Sequence, residues 1–419
     1  MPGITLPDAY TYDSTHLLKS ETDPRGSSTS SQYYSDGRLQ SITDGMQNTT
    51  SFAYALNADG TTTTNTTFPD GGVQVTVANS FGKPLNVTDP LQRTTSFTYE
   101  GNQNLITRTD ALGKTTRYTY DVNSFQTSVE DPLHHIKSKV FNRFGGVTSE
   151  TDALSNTRIT SYDPDFNPIQ WSDSLGQIQA ATYDTAGNLA SLTNGNGKTT
   201  SFSYDARGNM TQVLAPLNQT TSFTYDAMDR IATQTDARQK TITFLYDALG
   251  HLSDKIDPLH GKTHYVYDGN GNKTSETDAL QHTSTYEYDA LNRVSRITYP
   301  DQTSKHFTYD FRGNKLTETD QLLRVTTYSY DLAGQLSSIT YAPGTPDAAT
   351  VLYTYDKAGR KLTETDGRGN LITYGYDDAG RLISMTDAVN KTTTYTYDAI
   401  NRRTSVRDPN QHSTSSIMT

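Results

Sequence analysis

The chain has no cysteine and one tryptophan. Leucine, isoleucine, valine and phenylalanine make up roughly 18% of its 419 residues, a level associated with disorder. Without cysteine, disulfides and thiolate metal sites are excluded, although the compartment is not fixed by this. No run of about 18 apolar residues occurs, so no membrane-spanning helix is expected. The start, Met1-Pro2-Gly3-Ile4-Thr5-Leu6-Pro7, lacks the basic and apolar regions of a secretory signal. Nor are lysine and arginine clustered. With a net charge of −11 and a pI near 5.2, the chain lacks the footprint of a nucleic-acid binder.

What is abundant is tyrosine, at 28 residues, together with threonine, both strand formers. They are spaced strictly, which disorder does not require. From Tyr99 a Tyr-Asp anchor recurs every 21 residues through Tyr120, Phe141, Tyr162, Tyr183, Tyr204, Tyr225, Tyr246, Tyr267, Tyr288, Tyr309 and Tyr330. After a longer connection near 342–350 the next anchor is Tyr355, and the period resumes at Tyr376 and Tyr397. Upstream, Tyr12, Tyr33 and Tyr54 hold the same step, and a degenerate unit at Ala78-Asn79 follows an insertion of three. About 19 units result. We divide the chain into a lead-in at 1–9, a repeat array at 10–412 and a tail at 413–419.

Each unit reads as two short strands and two turns. In the unit from Asp310, Lys315 to Thr319 and Val325 to Tyr330 are the expected strands. Four residues after the anchor stands Gly, as at Gly37, Gly208, Gly250, Gly313 and Gly380, or Asn or Asp, as at Asn292, Asn401 and Asp229. These residues tolerate positive φ, so a hairpin turn with a left-handed residue is expected there. The anchor aspartates Asp121, Asp205, Asp247, Asp310 and Asp377 are expected to accept backbone N–H groups. Thr-Asp followed by Ala or Pro, as in Thr109-Asp110-Ala111, opens the second turn. Alternation places Tyr118 and Tyr120, or Tyr328 and Tyr330, on one face and Thr or Ser on the other. Stacked units are then expected to align the rings into aromatic ladders, giving a thin wall without an aliphatic core. The fold class is all-β: tandem hairpins forming a long, spiralling antiparallel sheet, a partial hollow shell. The residues that define it are Tyr120, Asp121, Tyr204, Asp205, Gly208, Tyr246, Asp247, Gly250, Tyr309, Asp310, Gly313, Tyr376, Asp377 and Gly380.

The motifs Tyr204-Asp205-Ala206-Arg207-Gly208-Asn209 and Tyr376-Asp377-Asp378-Ala379-Gly380-Arg381-Leu382 resemble the YD repeats of the Rhs family. That family includes TccC-type components of Tc toxins, cell-wall-associated repeat proteins and teneurins. The resemblance covers residues 10 to 410 and implies a strip that spirals into a hollow shell. In bacterial members the shell encloses a C-terminal toxin delivered by type VI secretion or a Tc-type injector; in teneurins it serves adhesion. The family's Gly- and Pro-rich core segment with its aspartic self-cleavage site is not found in these residues, and neither a toxin domain after residue 412 nor an export adaptor before residue 10 is expected in this chain. Self-cleavage and toxicity are therefore carried onto no residue. The end after Asp408-Pro409, with Met418 where a tyrosine is due, reads as an uncapped truncation.

No catalytic, cofactor or metal site is expected. Carboxylates recur in every unit, whereas a catalytic dyad is unique. His134-His135 and His251, His260 and His264 lie in strand and turn positions without a metal-binding frame. Asp268-Gly269-Asn270-Gly271-Asn272 loosely resembles a calcium loop but lacks its acidic ligands. The expected role is a container for a polypeptide cargo, with a completing shell segment as partner and export by a dedicated machine or display at the surface. The alternative is an adhesion or carbohydrate-binding module that uses its tyrosine rings on glycans. A right-handed β-helix enzyme is disfavoured, because its coils stack aliphatic residues and need no hairpins.

Overall fold

The computed structural model describes residues 8–415. Most of the lead-in and the end of the tail, with Met418, lie outside the described residues. Among the described residues thirty-nine strands, from Ala9–Tyr12 to Ser413–Ser415, form one sheet in which each strand pairs antiparallel with the next in sequence. The only helical element among the described residues is the short 3-10 turn Pro216–Asn218. The sheet is open and not closed into a barrel. None of these elements is a helix long and apolar enough to cross a membrane.

In the unit from Asp310 the strands run Lys315–Thr319 and Val325–Tyr330. The turn between Tyr309 and Lys315 is a three-residue hairpin loop. Gly313 N–H donates to the Asp310 carbonyl at 3.1 Å, and Asp310 N–H donates to the Asn314 carbonyl at 2.9 Å. This pattern needs a left-handed residue, and Gly313 has φ +85°. A Cβ built there meets nothing within 4 Å, so its cost is purely conformational. Gly313→Val should destabilise this hairpin by about 1–2 kcal/mol. That is roughly a 5- to 30-fold rise in local opening, read as faster proteolysis between residues 305 and 325; unchanged cleavage would contradict the turn assignment.

The second turn repeats the first. Leu323 N–H donates to the Asp320 carbonyl and Asp320 N–H to the Arg324 carbonyl, with Leu323 at φ +63°. Across the array this slot is filled mostly by residues other than glycine, among them Gln47, Gln92, His134, Gln239 and Gln281, all at positive φ. The insertion after Tyr54 lengthens one strand, Thr49–Leu56, and moves the turn to Asn57–Gly60.

The two sides of a strand are paired unequally. Tyr309 opposes Lys315 while Thr308 opposes Thr317, so Leu316 is an extra, bulged residue. On the other side the ladder starts only at Thr317, opposite Thr327. Lys315 lies beyond that ladder, and its carbonyl accepts the hydroxyl of Tyr330 at 3.0 Å. The same bond, from an anchor tyrosine to the carbonyl fifteen residues earlier, recurs along the array, as in Tyr33 to Leu18 and Tyr397 to Leu382. A hydroxyl is thus the reason for tyrosine over phenylalanine at the anchor.

There is no thick core. Among the described residues only Gly72, Ala181 and Asp254 are buried, and no side chain is fully enclosed. The accessible surface is 25174 Å², against roughly 16,000 Å² for a compact monomer of this mass. The chain is a wall one sheet thick, wetted on both faces.

The wall winds past itself. The turn at residues 23–27 packs on the turns at 268–292, Asp70 meets Arg312, Arg93 meets Gln335 and Lys114 meets Asp378. These contacts span 242 to 267 residues, which brackets twelve 21-residue units. One coil is therefore about 24 strands. At ~4.8 Å per strand its circumference is on the order of 115 Å and its diameter ~35–40 Å. Second turns of the first coil rest on first turns of the second, forming a helical seam.

Candidate functional site: the wall and the seam between coils

Most anchor tyrosines end their strands with the hydroxyl turned to backbone. Tyr204 donates to the Leu189 carbonyl at 3.0 Å, Tyr246 to Ile231 at 2.9 Å, Tyr309 to Val294 at 2.8 Å and Tyr376 to Lys361 at 2.9 Å. Burial raises the Tyr309 and Tyr376 hydroxyl pKa values. Tyr120 ends the Thr115–Tyr120 strand, and burial raises its pKa as well. Tyr309→Phe should cost about 1 kcal/mol, seen as roughly fivefold faster amide exchange in the two flanking strands; unchanged exchange would mean that the Val294 carbonyl is satisfied otherwise.

The aspartates organise the turns. One carboxylate oxygen accepts two N–H groups: Asn123 and Phe125 on Asp121, Arg207 and Asn209 on Asp205, Leu249 and His251 on Asp247, and Arg312 and Asn314 on Asp310. Asp377 accepts Arg381 N–H. The other oxygen holds the side chain four residues on, which is Asn209, His251, Asn314 or Arg381. The Asn209 backbone N–H holds the Asp205 carboxyl below its usual range. For Asp247, burial pushes upward but the bonds from His251 outweigh it. Gly208, Gly250, Gly313 and Gly380 all have φ between +83° and +91°.

The face rings do not form the expected aromatic ladder. The anchor rings of successive units sit two strands apart, ~9.5 Å, too far for ring contact. The intervening strand and the turn that leads into it supply cations instead. Arg230 lies 4.3 Å over the Tyr246 ring, Arg360 4.9 Å over Tyr376 and Arg381 5.0 Å over Tyr397. Lys315 sits between Phe307 and Tyr328, and Lys361 between Tyr353 and Tyr374, paired with Glu318 and Glu364. Arginines also tie one turn to the next: Arg293 and Arg381 donate to the Asp310 and Asp398 carbonyls.

The histidines occupy ordinary slots. His135 and His251 take the place of Arg or Asn beside Asp131 and Asp247. His134 and His260 are left-handed turn residues, and His264 bonds Asp254, which Lys262 also holds. Among the described residues no group of three or more His, Asp or Glu is placed to hold a metal. The 268–272 loop is a seam turn. Asn270 donates to the Asp23 carboxylate at 2.6 Å, and a Cβ on Gly269 would stand 2.9 Å from Pro24. Its glycine is required by the passage of the earlier coil.

The seam is polar. Arg25 is its most bonded residue, donating to the Tyr288 and Asp289 carbonyls and to Asn292 Oδ1 at 2.9–3.0 Å, with its Nε 3.3 Å from Asp268. Ser27 donates to the Ala290 carbonyl at 2.6 Å. Phe68 stacks on Phe311 at 6.1 Å, with Arg312 over both rings. Sequence reasoning did not mark Arg25 or Asp70. The signal was there: both stand at the turn apex where Leu91 and Leu112 stand in later units.

Known proteins were compared with this geometry. The teneurin YD-shell model matches residues 220–374, and the RHS repeat model matches 99–135, 183–217 and 376–413, together more than half of the chain. Comparison with curated proteins gives no match. Among solved structures, the crystal structure of TcdB2-TccC3 superposes with a TM-score of 0.72 at 14% identity, over 96% of this chain and 29% of that one. The TcdB2-TccC3-Cdc42 structure gives the same score and identity, over 96% of this chain and 28% of that one. The chain thus spans less than a third of the length of the solved chains whose fold it shares. Hairpin period, turn chemistry, coiled wall and both family models agree: the chain belongs to the RHS/YD-repeat family.

Proposed function

We propose that this chain is a wall segment of a hollow YD-repeat container that encloses a polypeptide and shields it until delivery, by a Tc-like or type VI route. The observation that carries the reading is the excess surface of a one-sheet wall wound into a coil about 24 strands round. Such a fold invests its sequence in enclosing volume rather than in building a core. Its chemistry is repeated evenly along the wall, which suits a container and not a catalyst, whose groups converge at one place. The likeness to the TcdB2-TccC3 shells supports the same reading. The glycan-binding alternative relies on open ring faces, and many of these are covered by arginine or lysine.

The test is passenger protection. An unfolded polypeptide of about 100 residues, fused after residue 419, should be digested by protease at least tenfold more slowly than the free peptide. Digestion at the free rate would overturn the container reading. Glycan-array binding that disappears on substituting one row of tyrosines by alanine would favour the alternative.

A further inference from the structure

The second turn of each unit carries a residue at its apex, two places after the residue that opens the turn, and leucine fills this place at 91, 112, 133, 154, 175, 217, 259, 280 and 322. In the first coil these leucines face the second coil. The turn at 91–93 lines a cleft with Asp331 and Tyr355 of the later coil. Leu91 and Leu154 are 39% and 40% exposed, and Leu112 and Leu133 are half-buried. Past residue 160 no later coil within the described residues lies opposite, and exposure jumps: Leu175 is 96%, Leu259 84% and Leu280 75% exposed. The opposite edge shows the converse. First-turn apices of the early units are open, Phe81 at 70% and Val122 at 98%, whereas Leu291 and Phe311, which face the seam, are half-buried. The molecule therefore displays, on its two edges, the two halves of the interface that it forms with itself once per coil.

We propose that the free second-turn edge, over residues 173–390, docks the free first-turn edge of a second copy of this chain, continuing the seam head to tail. A second copy is the fitting occupant because both edges belong to the same sequence and their fit is demonstrated inside one molecule. There, apical side chains pack against turns and cations meet carboxylates, as in Arg25 with Asp268, Arg312 with Asp70 and Lys114 with Asp378. The contact joins different surfaces, so repetition gives an open helical stack and not a closed dimer. The proposal rests on the seam and is independent of what the wall encloses.

Sedimentation velocity of the full chain from about 1 to 100 µM tests it, with species heavier than a monomer expected at the upper end. Leu259→Glu with Leu280→Glu should weaken association at least tenfold while leaving the circular dichroism spectrum unchanged, since both side chains are exposed. Phe81→Glu with Val122→Glu should do the same from the other edge. A mixture of the two double variants should recover a 1:1 dimer and nothing larger, because each retains one intact edge. A chain that stays monomeric to about 100 µM overturns the proposal. So does association indifferent to both double variants, or a mixture that fails to pair.

Discussion

Replacing Arg25 by methionine is expected to part the two coils at residues 23–27 while leaving the hairpins folded. The guanidinium makes three hydrogen bonds to the later coil and approaches the Asp268 carboxylate, whose side chain is only 17% exposed. Methionine keeps much of the stem volume but removes every donor, leaving two carbonyls, an amide oxygen and a half-buried charge to find water. Losing charge-assisted bonds of this kind costs about 2–3 kcal/mol. The remaining contacts between coils are few and polar, so the local loss is not absorbed by a neighbouring core. The absence of cysteine permits a clean readout. In a Ser27→Cys, Ala290→Cys background a short bis-maleimide should bridge the coils efficiently, since Ser27 Oγ lies 2.6 Å from the Ala290 carbonyl. Adding Arg25→Met should cut the bridging rate at least tenfold, with unchanged circular dichroism. Equal bridging would show that the seam does not depend on Arg25.

Acid should dismantle the wall as a whole. Asp184, Asp226, Asp320 and Asp366 have carboxyl pKa values below the usual range, chiefly through side-chain bonds from Asn188, Arg230, Arg324 and Asn370. Asp205, Asp278 and Asp408 are lowered chiefly by backbone N–H bonds. A depressed folded pKa means that the stabilisation is complete above the unfolded value, ~3.9, and is lost as pH falls through the lower folded values. The loss at each turn is small. Asn79 and Asn142 perform the same capping with a neutral amide oxygen, so a protonated aspartate keeps an acceptor. Only the ion pairs and the charge on the bond disappear. The loss recurs in nearly every unit, however, and stability in such an array passes from neighbour to neighbour. The strand signal should therefore fall cooperatively below about pH 4, with uptake of several protons at the midpoint. A strand signal intact at about pH 2 would mean that turn aspartates contribute through geometry alone.

Much of the local structure was legible in the sequence because it depends on neighbours within one unit. The Gly, Asn or Asp after most anchors marks a left-handed turn residue, and the alternation in Val325–Tyr330 sorts its faces. Less was legible where several residue types serve one role. The left-handed position of the second turn is held by Gln92, His134 and Leu323, so no single residue type announces it; the clue was the recurrent Gln at that offset. The cation cover was missed for another reason. Lys315 and Phe307 are eight residues apart, and only the bulge at Leu316 places the lysine beside the rings on their own face.

The sequence alone determined the hairpin and its chemistry, since a 21-residue period, two aspartate turns and an anchor tyrosine each act within reach of the next strand. The winding was decided only by the tertiary structure. A coil of about 24 strands needs ~15° of rotation per strand, and an error of ~2° would accumulate to ~50° around the coil. No residue type encodes an angle that finely. It emerges from bulges, turns and side-chain packing summed over twelve units, and it is fixed where Arg25 meets Asp268 and Asn292, more than 240 residues away.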